Sequence, residues 1–327
     1  GDYYIKVNEK VEYFSTLLSS GAMINNLSIP YVFKNVADMQ NSSITFPVGK
    51  KVFWQGYYAE SDGGSNWGTV RSGAHTEDGG SIFTLADGKY VEANLKGKKK
   101  NVKKFGAPAD GSDDTPFCQT AINFVFNNGG GTVFFPASTY SITSLHQYWT
   151  STVTVNFEGE GKTATLLAKR DTSTTPVLDL NADTVLIIHS SIKGMRIAGN
   201  GKLQSGIKAE QLARFDCNNL RIDTCGIGFE NLGSLVAEVR NCEINGNNTG
   251  YKCRKSGAIY ANLINFYGGT ISGNSEFGLD VGEATGLHLH NTEVALNGVQ
   301  SDKAVVNNVA GYAVGNGITM TVDALPQ

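Results

Sequence analysis

Between residues 194 and 294 the chain repeats one short frame five times: an Asn or Gly, a mostly apolar residue, a variable residue, an Ile or Val, and another variable residue. It reads Gly194-Met195-Arg196-Ile197-Ala198, Asn219-Leu220-Arg221-Ile222-Asp223, Asn241-Cys242-Glu243-Ile244-Asn245, Gly268-Gly269-Thr270-Ile271-Ser272 and Asn291-Thr292-Glu293-Val294-Ala295. The aliphatic anchors Ile197, Ile222, Ile244, Ile271 and Val294 are 25, 22, 27 and 23 residues apart. That period belongs to one coil of a solenoid, in which each repeat buries its apolar face only against its neighbours.

Composition agrees with many short strands. The 39 Gly in 327 residues exceed the usual share of about 7% and show no collagen period, so they mark tight corners. The fold class read from these features is all-β. The 40% hydrophobic residues supply an ordinary core. A formal net charge of -3 gives no general attraction to nucleic acid or to a membrane surface. No apolar run approaches the roughly 18 residues of a membrane span, and the N-terminus lacks a basic region followed by an apolar core. Cys118, Cys217, Cys225, Cys242 and Cys253 are odd in number and contain no CxxC pair, so neither a disulfide framework nor a zinc site is expected. Small buried apolar residues, made in a reducing cytoplasm, are the expected role.

Along the chain, residues 1–30 read as a short helix and linker. Residues 31–95 alternate apolar runs with turn signals such as Asp62-Gly63-Gly64, Asp78-Gly79-Gly80 and Asp87-Gly88, the pattern of a small β-rich domain. Lys96, Lys98, Lys99, Lys100, Lys103 and Lys104 form a charge run, read as a solvated linker, with an anionic contact as the alternative. In residues 96–130 this linker leads into a capping segment: Asp113 or Asp114 can cap a helix running to about Asn127 that Gly129 ends. A strand follows at Thr132 to Phe135, and residues 131–327 form the solenoid, whose exposed first coil the helix would close.

Here the sequence resembles phage tailspike and tail-fibre proteins that carry a pectate-lyase-superfamily right-handed parallel β-helix. The resemblance rests on Lys104-Phe105-Gly106-Ala107, on Asp110-Gly111 with Asp113-Asp114-Thr115, and on Gly129-Gly130-Gly131-Thr132-Val133-Phe134-Phe135-Pro136-Ala137 with Tyr140. It departs at Ser138, where the family usually has Gly. Gly56-Tyr57-Tyr58, Asp62-Gly63-Gly64 and Trp67 also look like the small domain that often precedes the helix. The resemblance implies a single-stranded β-helix of about seven or eight coils in a homotrimer on the virion. Its N-terminal region would attach to tail or baseplate proteins. Its solenoid would recognise and often cleave bacterial surface polysaccharide, capsule or O-antigen, by hydrolysis or by β-elimination, without a cofactor.

The frame also supplies a surface map, because side chains alternate across a strand and equivalent positions stack at about 4.8 Å per coil. The Asn and Gly three residues before each anchor tolerate the left-handed conformation and form a corner whose amides can bond along the axis. Positions five and seven before the anchor are mostly apolar and point inward. Outward, therefore, stand Ser191, Asp216, Glu238, Asn265 and His288, beside Lys193, Asn218, Arg240, Tyr267 and His290.

Asp216 and Glu238 are the first-choice catalytic residues, with Arg240, Asn265, Tyr267, His288 and His290 as substrate-binding residues. Two carboxylates roughly 5 Å apart repel, and such a pair suits retaining glycoside hydrolysis; Arg240 could instead neutralise it as a salt ladder. Second choice are Asp223 and Glu243 on a diagonal of roughly 8 Å, a separation that suits an inverting hydrolase, with Arg221 below Glu243 again offering a salt ladder. For a lyase, Arg240 would neutralise a uronate while Tyr267 or His290 took the proton; endo-hydrolysis is preferred. Lys208, Glu230, Lys252 and Asp280, beside Gly206, Gly228, Gly250 and Gly278, read as a salt-bridged third face. His288 and His290 lack a third ligand, so no metal is expected. The reading of a different class is a non-catalytic virion-anchoring or adhesin fragment. In its support, the chain stops at Ala324-Leu325-Pro326-Gln327 without an evident cap or stalk, and reads as part of a longer chain.

Overall fold

The structure, a computed structural model, describes residues 31–182, 188–282, 284 and 286–298, and in addition the paired strands Tyr4–Val7 with Lys10–Tyr13, Ala304–Asn307 and Tyr312–Val314. Two compact units divide between residues 94 and 95. Val11, expected in a short helix, lies in the second strand of an antiparallel pair; the rest of that expectation, over 14–30, falls outside the described residues, as does the chain end at 315–327.

In the first unit a five-stranded sheet runs in the order Tyr31–Phe33, Lys51–Trp54, Asn66–Arg71, Tyr90–Ala93, Ile82–Thr84. Only the first pair is parallel. Its inward residues Val52, Trp54, Val70, Phe83 and Val91 pack on Val36 and Met39 of the short helix Val36–Gln40. The segment from Gly56 to Gly64 is a loop tied by one carboxylate. Asp62 accepts the backbone N–H groups of Tyr57, Tyr58, Ala59 and Gly64 at 2.7–3.1 Å. Burial opposes its ionisation, yet these four donors hold its pKa below the usual value. Gly56 is required there, because a Cβ would fall 1.6 Å from the Ala59 carbonyl oxygen.

The second unit is a parallel β-helix with three strands per coil. Sheet I has nine strands: Lys99–Asn101, Gly131–Phe135, Val155–Gly159, His189–Lys193, Arg214–Asn218, Val236–Arg240, Leu263–Tyr267, Leu287–His290 and Tyr312–Val314. Sheet II, from Ser138–Ile142 to Glu293–Ala295, and sheet III, from Leu145–Tyr148 to Ala304–Asn307, have seven each. The five anchors all lie on sheet II and are no more than 5% exposed; Ile197 pairs with Ile222, Ile222 with Ile244, and Ile271 with Val294. The corner residues Gly194, Asn219, Asn241, Gly268 and Asn291 all have φ between 51° and 66°. The chain turns there from sheet I to sheet II, in the left-handed conformation that Asn and Gly adopt at least cost.

Axial bonding at this corner is made by the backbone. The N–H groups of Asn219, Asn241 and Gly268 donate to the carbonyls of Arg240, Tyr267 and His290 on the next coil. The amide ladder lies inside the coil instead, three residues after the anchors. Asn247 Nδ2 donates to Asn274 Oδ1 at 3.1 Å and Asn274 Nδ2 to Asn297 Oδ1 at 2.8 Å, while the same amides satisfy the carbonyls of Ile222, Ile244 and Ile271. All three are wholly buried. Beside them the core carries a run of edge-to-face rings, Phe215, Phe229, Tyr251 and Phe266, at centroid distances of 5.3, 5.1 and 5.1 Å.

At the N-terminal end, helix Thr115–Asn127 packs Cys118, Ala121, Ile122 and Val125 against Val102, Phe105 and the first-coil strands. Asp113 Oδ1 accepts the Thr115 N–H at 3.0 Å. Asp114, wholly buried, instead accepts the N–H groups of Ala109 and Ser141, both at 2.8 Å, and so ties the turn to sheet II. Burial, with the neighbouring Asp110 and Asp113 charges, pushes its pKa up, and the two amide bonds work against that shift. The lysine run is not a free linker. Lys99 to Asn101 is the first strand of sheet I, Lys99 Nζ sits 3.7 Å over the Phe134 ring, and Lys100 is 7% exposed with its ammonium donating to the Gly97 carbonyl. Strand pairing with Thr132–Phe134 outweighs the self-repulsion that marks such a run as solvated. All five cysteines are buried and free.

Candidate functional site

Sheet I brings the two outward ladders together. Ser191, Asp216, Glu238, Asn265 and His288 occupy one position on five consecutive strands, and Lys193, Asn218, Arg240, Tyr267 and His290 the position two residues on. Between them stand the buried Ile192, Cys217, Val239, Phe266 and Leu289. Asp216 and Glu238 are therefore on adjacent strands and face outward beside the left-handed corner, with side chains 40% and 14% exposed.

Repulsion between these carboxylates is removed by two arginines. Arg214 Nε lies 3.1 and 3.2 Å from the Asp216 oxygens, and its Nη2 donates to Glu238 Oε2 at 2.8 Å. Arg240 Nη2 reaches the same Glu238 oxygen at 2.5 Å. Two guanidinium groups against two carboxylates make a charge-compensated cluster rather than a mutually repelling pair. Arg214 is a candidate functional residue that the outward ladders of the sequence do not include; it stands eight residues before the anchor Ile222, one alternation beyond Asp216.

The second ladder is a column of stacked planar groups. Arg240 Cζ lies 4.2 Å from the Tyr267 centroid, and the Tyr267 and His290 rings stack at 4.8 Å with 9° between planes. His288 and His290 lie 6.2 Å apart at 7°. Both faces of Tyr267 are thus covered, and its free edge and hydroxyl remain for a ligand. Asn265, expected to face outward, is only 6% exposed, on the strand between those of Glu238 and His288. Among the described residues no group of three or more His, Cys, Asp and Glu is placed to hold a metal ion.

At the other end of the same face, Glu158 Oε1 accepts from Lys99 Nζ at 2.9 Å and Oε2 lies 3.3 Å from Lys193 Nζ. Burial works against its ionisation, but the two ammonium groups hold its pKa below the usual carboxylate value.

The second-choice pair lies on adjacent strands, on the diagonal that the register sets, but each carboxylate has its own counter-charge. Arg196 donates to Asp223 from Nε at 2.8 Å and from Nη2 at 2.7 Å, and Arg221 Nε adds a third bond at 2.8 Å. Glu243 instead pairs with Lys162 at 2.6 Å. Asp223, expected to face outward, is 8% exposed beneath the two arginines. Burial raises the cost of its charge, and the guanidinium bonds more than offset this, so its pKa is lowered. On sheet III, Lys208, Glu230, Lys252 and Asp280 do stack on consecutive strands. Lys208 bonds Glu210 on its own strand at 2.8 Å and lies 3.8 Å from Asp179, its partner on the preceding strand, while Glu230 accepts from Ser205 at 2.7 Å and Asp280 from Arg254 at 2.7 Å, each across one coil. The glycines read with that face are buried; Gly228, Gly250 and Gly278 pack against the amide ladder and Gly206 against Cys225.

No family model matches the sequence, and no curated protein is similar to it at a significant level. Solved structures do resemble it in shape. The gp42 tailspike of Acinetobacter phage vb_AbaP_AS12 aligns with a TM-score of 0.66 at 14% identity, over 83% of this chain and 50% of that one. WceF of Pantoea stewartii, described as a glycan biofilm modifying enzyme with a bacteriophage tailspike-like parallel β-helix fold, aligns at 0.64 and 17% identity, over 82% and 42%. The gp49 tailspike of Acinetobacter baumannii bacteriophage Fri1, a capsular polysaccharide depolymerase, aligns at 0.59 and 13% identity, over 88% and 54%. The chain spans about half the length of these proteins. What it shares with them at such identities is the fold, the parallel β-helix of phage tailspikes.

Proposed function

We propose that this chain belongs to a phage tailspike on the virion and recognises bacterial surface polysaccharide, capsule or O-antigen, along the outward face of sheet I. The carrying observation is the juxtaposition of two ladders. One offers donors on successive strands (Lys193, Asn218, Arg240, Tyr267, His290) and the other offers acceptors (Ser191, Asp216, Glu238). Sugar hydroxyls donate and accept at once, so a glycan along the coil axis meets both kinds of partner on three successive coils, and many modest bonds accumulate without a deep pocket. Rigid backbone positions the groups before the ligand arrives, which lowers the entropic cost of binding. Neighbours in fold whose names describe glycan-modifying and capsule-depolymerising proteins support the same reading.

Cleavage of the bound glycan by Asp216 and Glu238 is the second reading, favoured by their position on adjacent strands of the donor-lined face. In it, one carboxyl group gives a proton to the glycosidic oxygen and the other attacks the anomeric carbon. Arg214 occupies both carboxylates, so the glycan must displace it before either group can act. Attachment to tail or baseplate proteins through the N-terminal unit, and assembly as a homotrimer, complete the proposal.

Incubation with capsule and lipopolysaccharide from candidate hosts tests both readings. Retention of the polymer together with shorter reducing oligosaccharides supports cleavage. Retention without shortening leaves recognition alone, as in an anchoring or adhesin chain. Absorbance of an unsaturated uronate would move the chemistry to β-elimination, and no retention by any host polymer would sink the proposal.

A further inference from the structure

We infer that the glycan recognised by sheet I is acidic, with one anionic group for every two sugar residues, and that it lies along the coil axis over Lys193, Asn218, Arg240, Tyr267 and His290. The inference rests on the proposed function and adds the charge and repeat of the ligand. Along this single ladder the residue types alternate. Lys193, Arg240 and His290 occupy every second strand, and the neutral Asn218 and Tyr267 lie between them. Neighbouring strands are about 4.8 Å apart, so the cations Lys193 and Arg240 stand about 10 Å apart, and the donor His290 lies the same step beyond Arg240, a step comparable with two residues of an extended glycan.

These cations are open to a ligand. Lys193 is 54% exposed. Its neighbour Glu158 is shared with Lys99, so one carboxylate faces two ammonium groups and leaves a positive charge in excess. Arg240 is 42% exposed. Glu238 engages its Nη2 alone, and among the described residues no other hydrogen bond of this guanidinium is found, which leaves Nε and Nη1 to meet an anion. His290 donates from one ring nitrogen when neutral and from both when protonated. Arg214, bonded to both Asp216 and Glu238, offsets part of the negative charge of the adjacent ladder, and Arg240 meets that ladder through Nη2 alone.

Spacing separates this ligand from its neighbours in chemistry. A glycan charged on every sugar would set half of its anions over the Asn218 and Tyr267 rungs. A neutral glycan would partly dehydrate Lys193 and Arg240 and return no charge to them. Charge-assisted bonds from two such cations strengthen binding well beyond that of neutral hydroxyl contacts, and weaken with added salt.

Three polymers of matched length decide the matter in equilibrium binding at low ionic strength: hyaluronate, with one carboxylate per two sugars; its carboxyl-reduced neutral form; and polygalacturonate, with one carboxylate per sugar. Hyaluronate is expected to bind about tenfold more tightly than the neutral form and more tightly than polygalacturonate, and Lys193→Gln to remove about fivefold of that affinity with the melting temperature unchanged. Equal binding of hyaluronate and its neutral form, tighter polygalacturonate, or no binding of hyaluronate would each overturn the inference. The proposed function fails by a different result, the absence of retention on every host surface polysaccharide, so the two failures are read separately.

Discussion

Arg214 reaches across one coil to donate from Nη2 to Glu238 Oε2 at 2.8 Å, while its Nε holds Asp216 on its own strand. This relationship gives Asp216 and Glu238 a shared counter-charge. Arg214→Ala would leave Arg240 alone to compensate two stacked carboxylates. The group is 41% exposed, so the loss of stability should be small, about 0.5–1 kcal/mol. Affinity for host polysaccharide should fall further, since the acceptor ladder becomes a repelling pair that costs ordering. Thermal denaturation beside calorimetric titration checks this; a large loss of stability with unchanged affinity would assign Arg214 to the fold alone.

Asp223 gives a pH-dependent test. Its folded pKa is depressed by Arg196 and Arg221 against the opposing effect of burial, relative to about 3.9 in an unfolded chain. A depressed carboxylate contributes stability that is fully present above the unfolded value and is lost as pH falls through the folded one. Asp223→Asn should therefore cost about 1–3 kcal/mol at neutral pH, leaving two guanidinium groups short of a partner. The gap between variant and parent should narrow below about pH 4. Urea unfolding across pH 3–7 measures it, and a gap independent of pH would refute the ion-pair account.

How far the sequence carried the structure depends on whether a residue acts through the backbone or through side-chain reach. The corner residues Asn219 and Asn241 were legible because a left-handed φ selects Asn or Gly whatever surrounds it. The pairing of Asp216 with Glu238 was legible because the period fixes the register. Arg214 and Lys162 were not, because a long side chain chooses its partner by reach, and Lys162 is joined to Glu243 across 81 residues. The amide ladder was open to the same arithmetic that found the corner: Asn247, Asn274 and Asn297 each follow an anchor by three residues. Polar side chains at that spacing carry no outward sign of an interior role, because apolar residues are the default there. Lys99 and Lys100 mark the opposite limit, since strand pairing overrode a run that local charge alone describes as solvated.

Gly250 probes the interior ladder. A Cβ there would lie 2.6 Å from the Gly278 carbonyl oxygen, 2.8 Å from Asn274 Nδ2 and 2.8 Å from Ile271 Cγ2. Backbone on one side and a doubly bonded amide on the other cannot retreat independently, so Gly250→Ala should cost about 1–3 kcal/mol or more through overpacking. Asn274→Ala should cost a similar amount by another route, leaving the buried Ile244 carbonyl and the Asn247 N–H without partners. The two residues touch, so the double variant should cost clearly less than the sum of the single changes, a coupling that denaturant unfolding of all three variants would measure. Strict additivity would mean that the glycine and amide ladders are independent.

Tyr267 separates two ways in which an aromatic residue can hold a sugar. An exposed ring face binds by stacking, and Phe then serves as well as Tyr. In this column one face of Tyr267 is taken by Arg240 at 4.2 Å and the other by His290 at 4.8 Å, which leaves the ring edge and hydroxyl to the ligand. Tyr267→Phe keeps the stack and removes only the hydroxyl. Affinity for the polysaccharide should fall by about 0.5–1.5 kcal/mol, the net worth of one hydrogen bond, with the melting temperature unchanged because the hydroxyl has no described protein partner. His290→Ala gives the complementary result: it uncovers one face of Tyr267, and a gain in affinity for neutral oligosaccharides in that variant would follow if the freed face became a stacking surface. Undiminished binding by Tyr267→Phe would show that sugars already use the ring face, and that the Arg240–Tyr267–His290 column opens when the glycan binds.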